Sequence, residues 1–138
     1  MRIAVIDGQG GGMGKAIVEK LRAAFGEGAE IVALGTNAVA ASLMMKAGAD
    51  EGASGENALV VNAPKADFII GSVAIVAAHS MLGEITPKMA EAVSGSPAKK
   101  ILIPLNRCGL YIAGTKQEPV SSFIEDAVAM IKEQPGAR

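Results

Sequence analysis

The chain has 138 residues, a formal net charge of −1 and 50% hydrophobic residues, enough for one good core and a single domain spanning residues 1–138. A near-neutral balance without a basic run argues against a nucleic-acid partner, and no Trp, one Tyr and three Phe leave little for base stacking. The single cysteine, Cys108, excludes an internal disulfide and fits a reducing cytoplasm.

Mean hydropathy is +0.35, high for a small soluble monomer, so a homo-oligomer is expected, most simply a two-fold dimer. The longest apolar region, Phe68 to Ala78, is interrupted by Gly71 and Ser72 and falls short of the ~20 residues that cross a bilayer. Met1-Arg2 leads at once into an apolar run, leaving no room for a signal peptide. A cytoplasmic protein with no membrane partner is expected.

Ile3 to Asp7 is continuously apolar up to its last residue, the mark of a parallel strand buried on both faces. From Met13 the period becomes helical, with Met13, Ile17, Val18, Leu21, Ala24 and Phe25 on one face and charges opposite. Glu30 to Leu34 reads as a second strand, and Thr36 or Asn37 caps a helix from Ala38 to Lys46. Asp50 to Ser54 is small and polar, tolerable only at a sheet edge. A short helix or turn through Val61 precedes a fourth strand, Asp67 to Gly71.

Ser72 to Leu82 is apolar nearly all round and reads as a helix sandwiched between layers or lying in an interface. Thr86-Pro87 supplies an N-cap and first-turn proline for a helix to Val93. Lys100 to Leu105 is a fifth strand, and a turn at Asn106 to Gly109 returns the chain into Leu110 to Gly114 as a hairpin strand. Pro104 cannot donate to a ladder, so that strand end belongs near an edge. Val120, Phe123, Ile124, Ala127, Val128 and Ile131 define a final amphipathic helix between Pro119 and Pro135.

Alternating strands and helices imply a three-layer α/β fold with a parallel sheet. The polar third strand belongs outside the second, which yields the Rossmann-like order 3-2-1-4-5 with the hairpin strand added beyond. The rival order 2-1-3-4-5 would place Asp50 and Glu51 mid-sheet. In the favoured order, ligands bind between the first and fourth strands at their carboxyl ends.

That edge carries the densest signal in the chain: Gly8, Gly10, Gly11, Gly12 and Gly14, between the first strand and first helix. Such a turn lets backbone amides approach an anion that the helix dipole also favours. Gly8, Gly10 and Gly14 match G-x-G-x-x-x-G, a relative of the dinucleotide fingerprint, whereas the stricter G-x-G-x-x-G fails at Gln9. A P-loop reading fails at Gln9 too, and Ala16 stands where a magnesium-binding Ser or Thr is required. The acidic residue that accepts the ribose 2′-hydroxyl is missing where the second strand ends in Gly35-Thr36-Asn37. Asp7 either shapes the loop through its amides or displaces the anion toward Gly12 and Lys15.

The stretches IDGQGGGMGKAIVEKL, GADEGASGENALVVNA, HSMLGEITPKMAEAV and KKILIPLNRC resemble a bacterial family of short single-domain proteins known as a domain of unknown function. The resemblance spans essentially the whole chain and implies a stand-alone NAD(P)-binding-type Rossmann-like domain. The glycine loop is also similar to that of prephenate dehydrogenases and other NAD(P) enzymes, from whose G-x-G-x-M-G it departs at Gln9. The resemblance carries over no catalytic residue.

The candidate binding residues are Gly8, Gln9, Gly10, Gly11, Gly12, Met13, Gly14, Lys15, Thr36, Asn37, Gly71 and Ser72, for a small anionic ligand of nucleotide type, NAD or NADP being the candidate cofactor. A sensor role and a part in an oxidoreductase both fit. A second hypothesis is a small enzyme acting on a phosphorylated or carboxylated metabolite, with His79, Asn106 and Arg107 meeting the glycine loop. A third is a non-catalytic interaction module that docks through Ser72 to Leu82. One His and one Cys argue against a zinc site. Cys108 beside Arg107 is read as a turn residue or a redox-sensitive thiol.

Overall fold

A parallel sheet covered on both sides must bury alternate residues of each central strand in opposite layers. The computed structural model, which describes residues 1–107 and 109–134, does this. Strands β1 (Arg2–Asp7), β2 (Glu30–Gly35), β3 (Glu51–Ser54), β4 (Phe68–Ser72) and β5 (Lys99–Ile103) form one sheet in the order β3-β2-β1-β4-β5. Every neighbouring pair is parallel. The order is the one argued from the polarity of the third strand: Glu51, Gly52 and Ser54 lie exposed at the edge.

Helices α1 (Gly12–Phe25), α2 (Ala38–Lys46), α3 (Glu56–Asn62), α4 (Pro87–Gly95) and α5 (Val120–Glu133) connect or follow the strands. Ile3 and Val5 of β1, with Ile31, Ala33, Phe68 and Ile70, face a layer built from Ile17 and Leu21 of α1, Met44 of α2, and Ile124 and Val128 of α5. The intervening residues Ala4, Ile6, Val32, Leu34 and Ile69 face Leu59 of α3, Met89 and Val93 of α4, and Ile75 and Ile85. Each fully buried isoleucine or leucine contributes ~1.5–3 kcal/mol. Caps fall where expected. Asn37 Oδ1 accepts from the Ala40 amide at 2.9 Å, and Thr86 Oγ1 accepts from that of Met89 at 3.2 Å.

Two expected elements are corrected. Ser72 to Leu82 is not a helix: only a single 3₁₀ turn, Val73–Val76, forms. An irregular loop follows in which His79 (φ 71°), Met81 (56°), Leu82 (56°) and Gly83 (88°) are left-handed, and left-handed residues cannot continue a right-handed helix. The few polar groups in this run are spent on the loop. Ser80 Oγ donates to the Ala74 carbonyl at 2.6 Å, and the His79 amide donates to the Ile85 carbonyl at 2.7 Å.

The hairpin strand at Leu110 to Gly114 is also absent, and among the described residues the sheet ends at β5. Pro104 lacks the N–H needed to extend the ladder. The chain instead makes short local turns, Leu105 N–H to Ile103 O and Arg107 N–H to Leu105 O, and leaves Tyr111 83% exposed. Cys108, and with it the thiol reading, lies outside the described residues.

Ser80→Ala removes one of the two donors to the Ala74 carbonyl, which keeps the Ala77 amide at 3.0 Å, and is expected to cost about 0.5–1.5 kcal/mol, read from urea unfolding. An unmoved midpoint would show that this bond does not anchor the loop.

Candidate functional site

The glycine loop is shaped from beneath by Asp7, the last residue of β1. Asp7 is 7% exposed, and its Oδ1 accepts from the Gly8 amide at 2.8 Å while Oδ2 accepts from the Gly14 amide at 2.6 Å. Burial pushes the Asp7 carboxyl above its ordinary value, against the opposing pull of the Gly14 and Gly8 amides. Asp7 is therefore the loop's clasp, the first of the two readings available from the sequence. Both of its oxygens are committed.

The glycines divide by what surrounds them. A Cβ on Gly14 would stand 2.5 Å from Met44 Sδ and 2.8 Å from Asp7 Cβ, and on Gly11 2.8 Å from Ala40 Cα. One on Gly8 would run into Met81 Sδ at 2.8 Å and crowd Thr36 Oγ1. These positions need glycine for packing, whatever the loop binds. Around Gly10 and Gly12 a Cβ would meet nothing within 4 Å. The Gly11 amide is used internally, donating to the Gly8 carbonyl at 3.0 Å. The amides of Gly10, Gly12 and Met13 have no acceptor among the described residues, and Gly12 and Met13 open the 14-residue helix α1.

The residues that carry these amides line a cleft of about 1030 Å³. One wall is α1, through Met13, Ala16, Lys20 and Ala23. The other is the segment after β5 and the first turn of α5, through Leu105, Arg107, Val120, Ser121 and Ile124, and Met81 and Leu82 form the lip. The cleft thus lies at the carboxyl ends of the strands, where doubly wound sheets bind ligands. Its walls are mainly apolar, and its titratable lining residues are Asp7, Glu19, Lys20 and Arg107.

Of the residues singled out from the sequence, Gly8, Gln9, Gly10, Gly11, Gly12, Met13 and Arg107 line this cleft. Gly14 lies beneath it. Lys15 is exposed and does not line it, and neither do His79 and Asn106, both also exposed. Gly71 is packed against the Ile6 carbonyl, and Ser72 Oγ accepts from the Ala74 amide at 3.2 Å. Thr36 and Asn37 are engaged elsewhere.

What engages them is a residue that sequence reasoning missed. Glu84 Oε1 accepts from Thr36 Oγ1 at 2.6 Å, from Asn37 Nδ2 at 2.7 Å and from the Gln9 amide at 2.9 Å. Asn37 Nδ2 also donates to the Gln9 carbonyl at 3.0 Å. The Thr36 hydroxyl, with the Gln9 amide and Asn37 in support, holds the Glu84 carboxyl below the ordinary glutamate value. Its position in the loop after β4, the strand next to β1 in the expected order, was the available signal. Among the described residues no cluster of His, Cys, Asp and Glu has the arrangement to hold a metal ion, and no helix is long and apolar enough to cross a membrane.

The sheet order, the crossover loop and the cleft above it define a Rossmann-like α/β domain. The chain belongs to the family described as Domain of unknown function (DUF3842), whose model matches residues 2–135. The fold is similar to that in the crystal structure of a dodecameric FMN-dependent UbiX-like decarboxylase from Escherichia coli O157:H7, with a TM-score of 0.52 and 16% sequence identity over 96% of this chain and 93% of that one. No curated protein matches the chain.

Two outcomes test this geometry. Gly14→Ala is expected to lose about 1–3 kcal/mol through overpacking, while Gly12→Ala stays within about 0.5 kcal/mol of the parent, both by urea unfolding. Equal effects would refute the division of the glycines. Glu84→Ala is expected to cost about 1–2 kcal/mol at neutral pH. Because folding lowers the Glu84 pKa, that stabilisation is present above the unfolded value and vanishes as pH falls through the folded one. The gap between parent and variant should therefore close on acidification, and a gap independent of pH would contradict the assignment.

Proposed function

We propose that this protein binds a nucleotide-type ligand through its phosphate. The amides of Gly10, Gly12 and Met13 are the donors, and the apolar cleft between α1 and α5 receives the rest of the molecule. One observation carries the reading: three residues whose amides have no acceptor among the described residues line a cleft of about 1030 Å³ at the start of a long helix. A helix N-terminus favours an anion by about 0.3–2 kcal/mol, and the apolar walls suit a heterocycle. The structural neighbour is an FMN-dependent decarboxylase, which supports a nucleotide-type ligand, and the NAD(P) expectation from the glycine loop belongs to the same class.

Ligand sensing is the role favoured here, with a part in an oxidoreductase as the catalytic variant, in which the cofactor supplies the reactive atoms. Asp7 has each oxygen bonded to one amide of the loop, and its role in this reading is to shape that loop. The reading as a metabolite enzyme keeps only Arg107 of its three candidate residues at the cleft. Self-association in the cytoplasm belongs to the proposal too, supported by the exposed Leu82 and Tyr111 and by a dodecameric structural neighbour.

The test is a thermal-shift panel of FMN, FAD, NAD, NADP, AMP and coenzyme A on the parent and on Gly12→Leu. A ligand at 100 times its dissociation constant adds about 2.7 kcal/mol to the folded state, a midpoint rise of several degrees. Gly12→Leu, whose side chain enters open space, should melt with the unliganded parent and lose the rise. A rise that survives in this variant, or none with any ligand in the parent, would overturn the proposal.

A further inference from the structure

We propose that Glu84 is a specificity-determining residue: it fills the place at the end of β2 where the ribose of a dinucleotide docks, and so restricts the cleft to ligands that run from the glycine loop toward α5, a mononucleotide such as FMN. The inference rests on the reading that the glycine loop takes the phosphate. In doubly wound folds that hold dinucleotides, the pyrophosphate sits at the first crossover and the ribose hydroxyls are accepted at the end of the second strand. Here that position is closed from within.

Three donors, the Gln9 amide, Thr36 Oγ1 and Asn37 Nδ2, converge on one oxygen of Glu84. Asn37 spends its remaining polar atom on the Ala40 amide. The space is filled as well as the bonds. A Cβ on Gly8 would stand 3.1 Å from Glu84 Oε1 and 2.8 Å from Met81 Sδ, so protein atoms already occupy the gap between the first glycine and the end of β2. Neither Thr36 nor Asn37 lines the cleft, which opens the other way, past Met13 and Ala16 to Val120 and Ile124. A carboxylate at this spot also opposes a ribose 2′-phosphate by like charge.

The backbone is strained to deliver Glu84. Three non-glycine residues just before it, His79, Met81 and Leu82, are left-handed, a conformation that persists only where surrounding structure enforces it and that clusters at ligand clamps. Leu82 is 95% exposed, so its own burial does not enforce it.

The experiment measures NAD and FMN affinity, by calorimetry at one salt concentration, for the parent, Glu84→Ala and Glu84→Asp, with folding checked by urea unfolding. Glu84→Ala should bind NAD at least tenfold more tightly than the parent and raise the NAD-to-FMN affinity ratio. Glu84→Asp, shorter by one methylene, should shift the same way by less, and it decides the question if the alanine variant does not fold. NAD affinity that is unchanged in the folded variant overturns the proposal, and so does weakened affinity, which would mean that Glu84 itself accepts the ribose hydroxyls. FMN binding to the parent without a gain in NAD binding sinks this inference and leaves the cleft reading standing. A gain in NAD binding without FMN binding to the parent keeps Glu84 as the block at the end of β2 and overturns FMN as the mononucleotide.

Discussion

The structure depends on one short interaction: a buried carboxylate at the end of the central strand holding two amides of the turn that follows it. Asp7 is out of water, and an uncompensated charge there would be costly. The Gly8 and Gly14 amides supply the compensation and in return fix both ends of the loop. With the ends pinned, α1 starts at Gly12 over the carboxyl edge of the sheet, and Gly14 packs onto Met44 and Asp7. That clasp thereby sets where the helix carrying the Gly12 and Met13 amides begins.

A second carboxylate works on the same loop from outside. Glu84 ties Gln9 to the end of β2, and packed and open positions alternate along the glycine loop. The division explains why so many glycines occur together. Gly8, Gly11 and Gly14 leave no room for a side chain, whereas Gly10 and Gly12 have room and lack one. Packing accounts for the first group, and the proposed function would account for the second through access to the backbone.

Much of this was legible in the chain. Continuous apolar residues in β1, β2 and β4 marked buried parallel strands, and the polar Glu51 to Ser54 segment forced β3 to the edge, which settled the sheet order. Asn37 and Thr86-Pro87 announced helix starts by chemistry that acts within three residues. The loop after β4 was not legible. Its residues are apolar, as a buried helix would be, and the left-handed turns at His79, Met81 and Leu82 use residue types that carry no such signal. Glu84 was missed because its partners are 75, 48 and 47 residues away, and only tertiary structure joins them. The expected strand at Leu110 to Gly114 rested on local apolar character, and Pro104 ended the ladder before a partner could form.

The clasp has a consequence for acid–base behaviour at the cleft. Burial already inclines Asp7 toward its protonated form, and a phosphate seated on the neighbouring amides of Gly12 and Met13 would bring further negative charge to the same spot. Occupancy and protonation would then favour one another. Binding would thereby favour uptake of a proton at Asp7, an effect set against the phosphate's own loss of negative charge on acidification.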